Sequence, residues 1–123
     1  MPDPAGDPIY RMALSAARAA EDKKGGDIVL LEVSQVSTLA DYFLLVSGYS
    51  LTQVRAIARA IEEQVWEEWQ QAPRRIEGQE SGSWILIDYA DLIVHVLMQE
   101  ERDYYDLESF WAQAHRVNLP IAG

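Results

Sequence analysis

At 123 residues, 49% hydrophobic and 24% charged, the chain fits one globular domain, and its lack of cysteine excludes disulfides, thiolate metal sites and cysteine catalysis. Lys plus Arg number 10 against 20 Asp plus Glu, a net charge of −10. That balance opposes docking on a phosphate backbone or an anionic membrane, and suits either plain solubility or attraction to a basic protein surface.

The opening Met-Pro-Asp-Pro-Ala-Gly-Asp has neither the basic region nor the apolar core of a signal peptide. No apolar run approaches the roughly 20 residues of a membrane helix. A cytoplasmic protein without a membrane span is expected.

Asp7-Pro8 reads as an N-cap followed by proline in the first turn, and Ile9, Ala13, Ala16, Ala17 and Ala20 recur at helical spacing. The first helix should run from about Pro8 to Lys24, ended by a left-handed Gly25. Asp27 to Val33 and Tyr42 to Ser47 are nearly continuous apolar runs, which suit strands of a sheet sandwiched between helices. Ser50 and Gln53 form a capping-box pair, with Tyr49 and Val54 placed as a hydrophobic staple. They open a helix whose apolar stripe is Val54, Ile57, Ala58, Ile61, Val65 and Trp69 and which stops before Pro73.

A weak strand near Arg74 to Glu77 precedes the loop Gly78 to Ser83. Trp84 to Ile87 and Leu92 to Met98 then form a hairpin across Asp88-Tyr89-Ala90-Asp91. Leu107, Phe110, Trp111 and Ala114 predict a short C-terminal helix capped by Asp106. The order α-β-β-α-β-β-β-α gives an α/β fold: one domain with a mixed sheet of about five strands flanked by helices. Residues 1–6 and 117–123 are read as tails around a domain at 7–116.

Few residues suit catalysis. His95 lies within a strand, on the face of Ile93 and Leu97, where a histidine is more often a hydrogen-bonded structural group than a base. His115 stands far from it in sequence, and no third metal ligand has suitable spacing near either. Ser47-Gly48-Tyr49-Ser50 resembles the strand–Gly–Ser–helix junction of nucleotidyltransferases, which also need carboxylates paired along a neighbouring strand for two magnesium ions. Asp88 and Asp91 are three apart across a turn, so a metal site, and a cofactor of any kind, is not expected. Glu100, Glu101, Asp103, Asp106 and Glu108 read either as a solvated edge or, mixed with Tyr104, Tyr105, Phe110 and Trp111, as a protein-binding face.

Three blocks resemble the ribosomal silencing factor S, or Iojap-like, family. They are Asp41-Tyr42-Phe43-Leu44-Leu45-Val46-Ser47-Gly48-Tyr49-Ser50; Glu77-Gly78 with Gly82, Trp84, Asp88, Tyr89, Asp91 and His95-Val96; and Glu100, Arg102, Tyr105, Leu107, Glu108 and Trp111. Ala90 stands where relatives often have Gly. The resemblance implies a nucleotidyltransferase-like fold without the metal site and a non-catalytic translational repressor, often a homodimer when free. Such a protein binds a large-subunit ribosomal protein, the one numbered fourteen, and blocks subunit joining under nutrient limitation. On that basis Trp84, Tyr89 and Tyr105 are expected as apolar anchors, and Asp88, Asp91 and Glu100 as partners for Lys or Arg. Arg102 would orient the acidic run. The rival readings are a nucleotidyltransferase-type enzyme and an acidic dimerisation module without a ribosomal role.

Overall fold

The computed structural model describes residues 6–121. Helix α1 (Pro8–Asp22) starts where Asp7 accepts the Ile9 N–H at 2.9 Å. It ends with Lys24 rather than Gly25 in the left-handed region, at φ 66°. Gly25 is needed for closeness instead, since a Cβ there would lie 2.7 Å from the Val46 side chain. Strands β1 (Gly26–Glu32) and β2 (Tyr42–Gly48) follow, then α2 (Leu51–Trp69). Ser50 accepts the Gln53 N–H, while the Gln53 carbonyl reaches the Tyr49 N–H and its amide donates to the carbonyls of Lys23 and Lys24. One side chain thus ties the start of α2 to the end of α1.

Strands β3 (Arg75–Glu77), β4 (Trp84–Asp88) and β5 (Leu92–Met98) come next in the chain, β3 lying at one edge of the sheet. The order is β3-β4-β5-β2-β1-β6, with β2 and β5 parallel and every other pair antiparallel. The sixth strand, β6 (His115–Val117), is absent from the sequence-based expectation and is held by its antiparallel pairing with β1. Val117 is buried in it, within the stretch read as a tail.

The expected C-terminal helix also differs. A short helix, α3 (Gln99–Tyr105), comes directly off β5, and α4 (Leu107–Phe110) ends before Ala114. Asp106, expected as an N-cap, makes no side-chain capping hydrogen bond to α4; it sits left-handed between the two helices at φ 48°, its backbone N–H donating to the Arg102 carbonyl at the end of α3. The Phe110 side chain, part of the expected stripe, lies outside the described residues, as do residues 1–5 and 122–123 of the expected tails.

The two sheet faces are covered unequally. Leu30, Leu44, Val46, Ile85, Ile87 and Val94 point at α1 and α2, whose apolar stripes seal that side. Contacts at its rim link the helices: the Trp69 indole donates to Ser15 at 3.0 Å, and the Arg11 guanidinium lies 5.7 Å from the centre of the Trp69 ring. The other face carries Val29, Leu31, Phe43, Leu45 and Ile93 and is roofed by the short α3–α4 segment, by Trp111 and Ala114 that follow it, and by Ala40 of the β1–β2 connection. Continuous apolar strand sequences are satisfied on both sides, but one side by a partial cover rather than by a second helical layer.

Candidate partner-docking site

Alternation along the strands sends Trp84, Leu86 and Asp88 of β4 to the partly covered face, beside Phe43 and Leu45 of β2 and Ile93 and His95 of β5. Between this floor and the α3–α4 roof lies a cleft of about 440 Å³, lined mostly by apolar atoms. Its walls are aromatic. The rings of Trp84 and Tyr105 are 5.4 Å apart, and Phe43 meets Trp111 edge-on at 4.6 Å. Leu39 and Tyr105, 64% and 52% exposed, stand at the mouth. A larger groove of about 720 Å³, beside the end of α1 and β6, contains none of the residues of the three sequence blocks.

His95 forms part of the floor. Its Nδ1 accepts the Trp84 indole N–H at 3.1 Å, and because an indole only donates, the imidazole proton must reside on Nε2. That Nε2–H is buried with no hydrogen-bond partner. Burial pushes the His95 pKa down to about 4, so the ring is neutral at pH 7.

Asp88 is buried at the β3 end of the cleft. Its carboxylate accepts the Ala90 N–H at 2.7 Å and faces Arg74 Nε at 3.0 Å and Arg75 Nε at 3.3 Å. Burial alone would raise its pKa, but the Ala90 N–H and the two guanidinium groups outweigh that and hold it below the usual carboxylate range. At the other end Arg102 is buried, donating to Ser47 of β2 at 2.9 Å and to Glu108 at 2.6 Å. It pins both roof helices to the sheet.

The sequence-derived site residues therefore separate. Trp84, Asp88 and Tyr105 line the cleft. Tyr89 is buried on the opposite side, in the core under α1 and α2. Asp91 and Glu100 are exposed outside the cleft, and Arg102 lies beneath its roof. Sequence reasoning passed over Phe43, Leu86, Arg74 and Arg75 as site residues. The period-two alternation Trp84-Leu86-Asp88 is the signal that could have found Leu86, whereas the Arg pair becomes visible only through the β3–β4 register, Arg75 opposite Asp88.

Among the described residues no cluster of three or more His, Asp or Glu could hold a metal ion, and no helix is long and apolar enough to cross a membrane. A family model described as "Ribosomal silencing factor during starvation" matches residues 7–122. The chain belongs to the ribosomal silencing factor family. A "Ribosomal silencing factor RsfS" of Bacillus subtilis is 42% identical over 104 residues, covering 85% of this chain and 87% of that protein. One from Chromobacterium violaceum is 37% identical, covering 84% of each. A crystal structure of a Chromobacterium violaceum protein superposes with a TM-score of 0.81 at 33% identity, over 94% of this chain and 95% of that one. One from Bacillus halodurans does so at 0.75 and 38%, over 89% and 98%.

Proposed function

We propose that the chain is a non-catalytic translational repressor that docks on a basic protein of the large ribosomal subunit, the one numbered fourteen, and sterically blocks subunit joining, chiefly when nutrients are scarce. The observation that carries this reading is the aromatic cleft on the half-covered sheet face. Clefts of this kind, bounded by Trp and Tyr, take a partner's apolar side chain and supply most of an interface's energy. Trp84 and Tyr105 are the anchors, and Asp91 and Glu100 meet partner Lys or Arg at the rim. Arg102 sets the roof that carries Tyr105. The free protein is a cytoplasmic homodimer in this account, and occlusion needs position and affinity but no proton transfer.

The nucleotidyltransferase reading is weaker because its carboxylates are otherwise employed. Asp88 is engaged by Arg74, Arg75 and the Ala90 N–H, and Asp91 is exposed beyond the turn. Co-sedimentation with purified large ribosomal subunits tests the docking proposal. Wild type pellets with the subunits, and Trp84→Ala with Tyr105→Ala does not while keeping its circular dichroism spectrum. Undiminished pelleting of that folded double variant removes the cleft from the account.

A further inference from the structure

The charged lining of the cleft runs against the charge of the whole molecule. The chain carries −10, yet the charged residues lining the cleft are Arg74, Arg75 and the single carboxylate Asp88. Asp88 is 1% exposed, whereas the Arg74 and Arg75 side chains are 60% and 63% exposed. A buried carboxylate is compensated by one cation; here two converge on it and a backbone N–H adds to them. Glu77 also approaches Arg75, at 3.5 Å, but it is solvent-exposed, does not line the cleft, and contributes little in water.

We infer that Asp88 is a positioning residue rather than a contact, and that it holds Arg74 and Arg75 at the cleft's β3 end to receive a carboxylate of the docked protein. The recognised surface is therefore basic overall, presents an apolar side chain to the aromatic walls, and carries an Asp or Glu beside it. Guanidinium groups suit this task because their planar fork pairs with a carboxylate through two parallel hydrogen bonds. The inference rests on the docking reading and adds a specificity element to it.

The sign of a charge reversal separates this from general attraction to a basic partner. If only overall charge matters, Arg74→Glu with Arg75→Glu makes the chain more acidic and tightens binding to large subunits. The Arg-pair account requires weakening, by roughly tenfold to a hundredfold, the range for a lost hydrogen bond to a charged group. Because that variant leaves Asp88 buried without a cation, the triple variant Arg74→Gln, Arg75→Gln, Asp88→Asn is measured beside it and must also weaken binding. Both are compared with Trp84→Ala in co-sedimentation titrations with purified large subunits. Weakening by the Arg variants and by Trp84→Ala supports the inference. Loss with Trp84→Ala alone overturns it and leaves docking intact, and no loss with any variant overturns both.

Discussion

Lowering the pH from 7.5 to 5.0 should destabilise the fold through one group, His95. Its pKa is about 4 in the folded protein against 6.5 for the unperturbed side chain, because burial disfavours the charged ring. A histidine with a depressed folded pKa contributes stability above its unfolded value, and that contribution drains away as pH falls from 6.5 through 4. At pH 5 the unfolded ring is almost wholly protonated and the folded one largely neutral, which costs about 2 kcal/mol. Only near pH 4 and below does the folded ring itself take a proton at Nδ1, which removes the acceptor of the Trp84 indole and loosens the cleft wall. Urea unfolding of wild type and His95→Gln at both pH values isolates the effect, since the carboxylates common to both cancel. Wild type should lose about 2 kcal/mol more than the variant. Equal losses, or a His95 ring proton titrating near 6.5 by NMR, would refute the reasoning.

Other perturbations follow from the same geometry. Ile87→Ala, at a fully buried site under the helices, should cost about 2–5 kcal/mol in urea unfolding. Gly78→Ala places a Cβ 1.9 Å from the Trp84 carbonyl oxygen at φ 86°, so it should destabilise by more than about 1 kcal/mol and disturb the β3–β4 pairing seen in amide exchange. Ala90→Gly relieves a left-handed alanine at φ 73° and should raise the urea midpoint, by up to about 1 kcal/mol in stability. Glu108→Ala leaves the buried Arg102 with Ser47 but without its half-exposed carboxylate and should cost about 1–2 kcal/mol, with the loss of roof structure visible as increased Trp111 mobility by NMR.

Periodicity made the central elements legible. The Ala-rich stripe behind Asp7-Pro8, the Ser50–Gln53 box and the apolar runs at β1, β2 and β5 each combine a strong pattern with a recognisable end. The C-terminal region was less readable for a physical reason. From Gln99 to Val117 the chain breaks into two short helices and a three-residue strand, held by tertiary contacts such as Arg102 to Ser47 rather than by local propensity. The same limit governs the site. Aromatic and acidic residues around β4 and β5 drew attention to this part of the sheet, but a turn such as Asp88-Tyr89-Ala90-Asp91 divides its side chains between opposite faces. Only the fold sends Tyr89 to the helices and Asp88 to the Arg pair.

Subunit joining tests the central claim most directly. Purified small and large ribosomal subunits are mixed, and formation of joined ribosomes is followed by light scattering with increasing amounts of this protein. The docking account predicts dose-dependent inhibition by wild type that is relieved by Trp84→Ala with Tyr105→Ala. Joining that proceeds at an unchanged rate and extent with saturating, folded wild-type protein would contradict it.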